Sequence, residues 1–232
     1  MIKSPAKRLL QGRYFSLNQL DRKLEKYVNY DDGYFVELGA NDGVTQSNSL
    51  YFERHRGWRG VLVEPAPQNF LKCRQNRSVK SSIFCAACVS FGYSQEFVRI
   101  AYLNLMSTPI SMESDIQDPR AHARLGDRFL GHGETIFEFG AVARPLKSLL
   151  QEADAPKLID FLSLDVEGAE LEVLKGVDHN AFRFKFILVE CRDFTRLNAY
   201  LESKKYQFVE KLSGQDYLFM LEELSKSGDS AG

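Results

Sequence analysis

The sequence predicts an α/β domain on a doubly wound, mostly parallel sheet of about seven strands, closed by a C-terminal antiparallel hairpin. Three observations carry that expectation. Residues 34–38 are an apolar run that breaks into the turn Gly39-Ala40-Asn41-Asp42-Gly43 and leads into a helical pattern at Leu50, Tyr51 and Phe52. A second apolar run, Val61-Leu62-Val63, ends in Glu64, roughly 20 residues beyond the turn, where doubly wound folds hold a ribose-binding acid. A third run, 161–164, ends in Asp165 and feeds another helix.

The elements follow in order. Ser16 and Gln19 read as a capping box for a helix whose apolar face is Leu17, Leu20, Leu24, Tyr27 and Val28. Asp31-Asp32-Gly33 turns the chain into the first strand. The first crossover helix is expected over about 48–55, stopped by Gly57, with Gly60 ahead of the second strand. Pro67 then opens a helix carrying Phe70, Leu71 and Arg74 that ends near Asn76. Residues 83–89 read as one buried strand and 96–103 as another. From 104 to 143 periodicity dissolves into glycines and mixed charge, an insert of a length that is usually functional. It is expected to act as a lid or acceptor-binding segment with a helix near 119–129. Order returns with a helix start at Pro145 and the strand ending in Asp165, whose following helix closes at Gly176. Residues 186–189 form a strand ending in Glu190, and Asp193 caps a helix through Leu197 and Leu201. Residues 206–212 and 217–221 make the closing hairpin. The expected organisation is a basic lead-in and helix over 1–30, one domain over 31–224, and a disordered tail over 225–232.

A chain of 232 residues with 44% hydrophobic and 26% charged residues suits one soluble globular domain. Its net charge of −1 argues against a general nucleic-acid or acidic-membrane binder. No apolar run is long enough to span a bilayer. Lys3, Lys7, Arg8 and Arg13 make the N-terminal stretch a solvated basic lead-in. Cys85 and Cys88 have metal-ligand spacing, but no second such pair or close histidine accompanies them. With Cys73 and Cys191 they read as reduced, buried thiols of a cytoplasmic protein.

The candidate site residues sit at strand ends. Gly39, Ala40 and Gly43 let a ligand touch the backbone, with Asn41, Asp42 and Ser47 as polar partners. A phosphate site wants bare amides at a positive helix end, so Asp42 repels a pyrophosphate and favours a cationic ligand. S-adenosylmethionine, with its sulfonium and ammonium, fits that charge better than a dinucleotide does. Glu37 then belongs on the ammonium side, Glu64 on the ribose, and Ala86 and Ala87 beside the adenine. Asp165 is the first candidate for a general base. In a rival arrangement Asp165 and Glu190, at neighbouring strand ends, hold Mg²⁺ against an acceptor hydroxyl. His122 and His132 in the insert are further candidate bases, expected to face solvent, and Glu167 and Glu170 read as helix-start acids.

These landmarks together define the class I methyltransferase, Rossmann-like pattern, and the particular words are more specific. Residues 35–43 with Ser47-Asn48, 57–65, and 159–170 followed by Leu174-Lys175-Gly176 resemble the FkbM family of S-adenosylmethionine-dependent methyltransferases. The resemblance runs from about 34 to 191 and is weak across 104–143, where families of this kind set acceptor choice. It implies O-methylation of a hydroxyl on a sugar, glycan or secondary metabolite. Two other classes stay open: a catalytically silent binding module on the same fold, and an NAD-dependent oxidoreductase. The absent Gly-x-Gly-x-x-Gly and the presence of Asp42 count against the latter.

Overall fold

The computed structural model describes residues 13–228, so Lys3, Lys7, Arg8 and residues 229–232 lie outside the described part. Counted along the chain, the main sheet takes β1 (Tyr34–Leu38), β2 (Arg59–Val63), β3 (Ser82–Phe84), β8 (Leu158–Leu164), β9 (Arg183–Glu190), β10 (Tyr206–Lys211) and β11 (Asp216–Leu221). A smaller sheet takes β4 (Ala87–Cys88), β5 (Phe97–Tyr102), β6 (Thr108–Pro109) and β7 (Phe137–Arg144). The main-sheet order is β10-β11-β9-β8-β1-β2-β3. All its pairings are parallel except those of β11, which runs antiparallel to both β9 and β10. The strand order reverses between β1 and β8, and that switch point opens a crevice at their carboxyl ends.

Central strands are mostly apolar because both faces are covered. All five residues of β1 are buried. One face sends Val36, Leu38, Val63, Leu162 and Ile187 against Leu146, Leu149, Leu174 and Leu197. The other sends Phe35, Leu62, Phe161 and Leu188 against Leu20, Leu24, Tyr51, Phe52 and Trp58. Alternation along each strand therefore puts Glu37, Ser163, Asp165 and Glu190 above this second core.

Four expectations need correction. Ser16 does not cap Gln19; Asn18 and Gln19 are left-handed (φ 53° and 57°), and the helix proper is Leu20–Leu24. The reciprocal cap falls later: Asp21 N donates to Ser16 Oγ and Ser16 Oγ donates to Asp21 Oδ1, both at 2.7 Å. The single strand expected over 83–89 splits, β3 joining the main sheet and β4 pairing with β7, so Cys85 lies in the break and Cys88 on the second piece. All four cysteines are free. The insert is not patternless: β7 pairs with the whole of β5, but only Ala141 on it is buried, which hides the usual alternation. Its expected helix is present as Pro119–Arg124 and a 3₁₀ turn, Leu125–Phe129, with Asp118 accepting from Ala121 N at 2.9 Å. Finally, the chain continues past Ser225 as a helix, Glu222–Gly228, where a disordered tail was expected. Among the described residues no helix is long and apolar enough to cross a membrane.

His179 gives the fold a pH dependence. It is buried against Tyr200, bonded through Nε2 to Leu174 O at 3.3 Å, and its Nδ1 has no partner. Burial lowers its pKa from 6.5 to about 4. The folded state thus refuses a proton that the unfolded chain accepts. Its contribution is intact above pH 6.5 and is lost as the pH falls toward 4, by up to about 3 kcal/mol. Urea unfolding of the parent and His179→Leu at pH 7 and 4.5 checks this. The variant should lose clearly less stability on acidification, and equal losses would refute the assignment.

Candidate active site

A cleft of about 520 Å³ opens at the switch point, within the range of small-molecule sites. Gly39 makes it possible. It is left-handed (φ +81°), and a Cβ there would stand 2.0 Å from the backbone oxygen of Asp165, so only glycine lets the ends of β1 and β8 meet. The N–H groups of Gly39 and Ala40 both bond to Val63 O at 3.1 Å, tying in β2. Gly39, Ala40 and Asn41 line the cleft.

Asp42 and Gly43 are placed elsewhere. Asp42 Oδ1 accepts from Val44 N at 2.8 Å and Thr45 N at 2.7 Å, and Oδ2 accepts from Thr45 Oγ1 at 2.8 Å. Burial works against its charge, but those bonds prevail and hold its carboxyl below the ordinary value. Its carboxylate closes its own turn and is absent from the cleft lining, so the charge argument built on it falls. Gly43 makes room for Arg77 and Cys73, whose Cγ and Sγ would lie 2.8 and 2.9 Å from an added Cβ.

Glu37 and Ser47 do reach the cleft wall, bound into a network. Glu37 accepts from Ser47 Oγ, Asn48 N at 2.8 Å, Ser49 Oγ and Arg77. Arg77, its side chain wholly buried, lies 3.1 Å from Glu37 and 3.2 Å from Glu53. Glu37 therefore shapes the wall of the site, its charge met by an arginine to which the sequence drew no attention.

Glu64 is buried, its two oxygens accepting from Ala66 N at 2.9 Å and Asn41 N at 2.8 Å. Burial pushes its pKa up to about 7 against the pull of those two bonds. Each oxygen keeps a further lone pair for a ligand hydroxyl. Ala86 and Ala87 line the cleft, joined by Pro65, Ile100 and the insert residues Leu105, Met106 and Met112. Asn104, at the start of the insert, accepts from Asn41 Nδ2 at 3.2 Å.

Asp165, Glu167 and Glu190 offer oxygens within 4.8 Å of one another. Asp165 is open to the cleft and enclosed by protein on its other sides. That enclosure first, then Glu190 and Glu167, raises its pKa well above the ordinary 3.8. Glu167 is left-handed (φ 56°) and is held by His122 Nε2 at 2.7 Å and Arg192 at 3.4 Å, the same arginine lying 4.0 Å from Glu190. So His122 points inward, contrary to expectation, while His132 is exposed. Glu170 is more than a helix-start acid: Oε1 accepts from Val166 N at 3.0 Å and Gly168 N at 3.1 Å, fixing the loop under the acids. Its burial pushes its pKa to about 8. With its pKa raised and its side chain open to the cleft, Asp165 is a stronger base toward a bound hydroxyl than an ordinary aspartate. The oxygen-donor set also suits a hard cation in its chemistry, although Arg192 already brings positive charge to two of its members.

Comparison with known proteins fits this geometry. The Methyltransferase FkbM domain family matches residues 37–221. Methyltransferase 1 of Beauveria bassiana (strain ARSEF 2860) is 27% identical over 187 residues, 76% of this chain and 73% of that protein. Methyltransferase sdnD of Sordaria araneosa is 30% identical over 159 residues, 62% of this chain and 60% of its own length. The crystal structure of methyltransferase FkbM from Methylobacillus flagellatus KT aligns with 93% of this chain and 58% of its own, at 14% identity and a TM-score of 0.47. The chain thus spans about three fifths of the latter two proteins. With the family match covering most of its length, this chain belongs to the FkbM methyltransferases.

Proposed function

We propose that the protein is an S-adenosylmethionine-dependent O-methyltransferase acting on a hydroxyl of a sugar, glycan or secondary metabolite. One observation carries the reading: a single cleft is lined by a buried carboxylate suited to a diol, Glu64, and by an acid pair suited to proton transfer, Asp165 and Glu190. When bound, S-adenosylmethionine would supply the methyl group, its carbon–sulfur bond breaking with the electron pair left on sulfur as the carbon–oxygen bond to the acceptor forms. The glycine turn at Gly39 and Ala40 would bound its methionyl part, Glu64 would accept from the ribose hydroxyls, and Ala86 and Ala87 would flank the adenine. Asp165 takes the acceptor's proton, with Glu190 beside it favouring uptake. Alignment of the acceptor oxygen supplies the rest of the rate. The four free cysteines support a cytoplasmic setting for this chemistry.

A second reading rests on the three clustered carboxylates. In it Asp165 and Glu190 would hold Mg²⁺, which would supply a Lewis acid that lowers the pKa of the acceptor hydroxyl. Undiminished turnover after chelation would remove this version.

The reading itself is tested by calorimetry with S-adenosylhomocysteine and, separately, NAD⁺. The thioether alone should bind, and above the raised pKa of Glu64, where its carboxylate is ionised, Glu64→Ala should weaken it at least about 100-fold, since two charged hydrogen bonds are lost. Binding of NAD⁺ alone, or of neither ligand, would sink it. Binding of the thioether without turnover on any hydroxyl acceptor would leave a silent binding module.

A further inference from the structure

Asp165, Glu167 and Glu190 bring oxygens within 4.8 Å of one another, and carboxylates so close repel. Proteins answer such a group with a metal ion or with a cationic side chain. Here a side chain is in place. Arg192, two residues past the end of β9, sets Nη2 3.4 Å from Glu167 Oε2 and 4.0 Å from Glu190 Oε1, so its guanidinium meets two of the three acids. All three acids line the cleft, whereas Arg192 does not, so the positive charge stands behind them.

The insert builds this arginine in. Arg192 N donates to Asp115 Oδ2 at 2.9 Å, and Nη1 lies 3.9 Å from Asp115 Oδ1. Asp115 N in turn donates to Gly168 O at 3.0 Å. A Cβ added to Gly168 would stand 2.5 Å from Ser114 Oγ and 2.7 Å from Ile116 Cδ1, so the insert lies flush on the loop that follows Asp165. His122, on the insert helix, reaches the same acid. An ionised carboxylate only accepts, so His122 Nε2 donates to Glu167 Oε2, at 2.7 Å.

Glu167 Oε2 thus already faces two nitrogen groups. Mg²⁺ demands near-octahedral oxygens at about 2.0–2.1 Å. Bound to Glu167 Oε2, it would stand no more than about 5.5 Å from Arg192 Nη2. A divalent ion and a guanidinium at that range repel in a partly enclosed site.

We propose that Arg192 is the resident cation of the acid trio, taking the electrostatic place of a divalent ion, so that Asp165, Glu167 and Glu190 hold no metal in the working protein. Arg192 is a positioning residue, acting on Asp165 through Glu167 and Glu190. The consequence for catalysis, an acceptor hydroxyl meeting Asp165 with no Lewis acid beside it, rests on the methyltransferase reading. The occupancy of the trio does not.

The test follows Mn²⁺ by electron paramagnetic resonance on the chelator-washed chain, counting only the binding that Asp165→Asn removes. The parent should show none up to millimolar ion. Arg192→Met keeps the length of the side chain without its charge, and it should bring that binding into the micromolar range, at least about 10-fold tighter. Arg192→Lys keeps the charge and should stay with the parent. Should Arg192→Met not unfold cooperatively, Arg192→Gln is read in its place. A parent that binds Mn²⁺ through Asp165 as tightly as the neutral variant overturns the proposal. A neutral variant that gains no binding, or a lysine variant that gains as much, does the same. Calorimetry with S-adenosylhomocysteine on the same samples, with and without chelator, should give one affinity. Its failure to bind the parent overturns the methyltransferase reading and leaves the ion result standing.

Discussion

Asp165→Asn is expected to cut turnover by about 10²- to 10⁴-fold while S-adenosylhomocysteine binding and thermal unfolding stay near the parent. The substitution keeps the shape of the side chain and removes its capacity to take a proton. Binding should survive because, in the proposed reading, Glu64, Ala86 and Ala87 would hold the ribose and adenine, while Asp165 contributes to the turn only through its backbone, at Gly39. Enclosure, Glu190 and Glu167 all raise the pKa of Asp165, so its basic form is lost at a higher pH than for an ordinary aspartate. Turnover should therefore climb with pH through that raised value. Glu190→Gln removes the strongest neighbouring charge, which lowers the Asp165 pKa and moves the acid limb toward lower pH. A parent-like rate in Asp165→Asn would end its role as base, and loss of product binding in that variant would make it a cofactor residue. An acid limb that moves upward in Glu190→Gln would show that the pair is wired differently.

The residues legible in the sequence are those whose chemistry follows from position on a strand. Glu64 and Asp165 stand at carboxyl ends, and the switch-point rule places them without any knowledge of side-chain partners. Glu190 follows by the same logic one strand further on. Asp42 was misread because an aspartate in a turn can face a ligand or bond its own next residues, and only the backbone path decides which. Arg77 and His122 were illegible for another reason. Each acts across a separation of tens of residues, on Glu37 and Glu167, and neither sits in a periodic pattern. The break at Cys85-Ala86 was hidden because both halves of 83–89 are apolar, so a change of sheet leaves no mark on composition. Of the apolar face expected for the first helix, Leu20 and Leu24 pack into the core, yet Leu17 and Asn18 turn into the cleft because the left-handed residues break the helix there.

Arg77→Ala should be the most destabilising single change near the site, costing about 3–5 kcal/mol in urea unfolding. Arg77 carries the only cation paired with Glu37 and Glu53 among the described residues, and all three side chains are almost fully buried. It also donates to Gly43 O at 3.2 Å and Ser49 Oγ at 2.8 Å, so the network links the helix Pro67–Asn76 to the glycine turn. Removing one partner strands two carboxylates in a site of low polarity, and that residue of unpaired charge dominates the cost. The pair need not be a net gain over an apolar pair of the same shape, which makes a compensation test informative. Glu37→Gln in the Arg77→Ala background should recover part of the loss, since one stranded charge disappears. Because Glu37 and Ser47 form the wall behind Gly39, Arg77→Ala should also weaken S-adenosylhomocysteine binding, although Arg77 itself does not line the cleft. A change below about 1 kcal/mol would show that water or a rearranged side chain satisfies Glu37 readily. In that case the carboxylate is free enough to meet a ligand ammonium directly, as its position at the head of the turn first suggested.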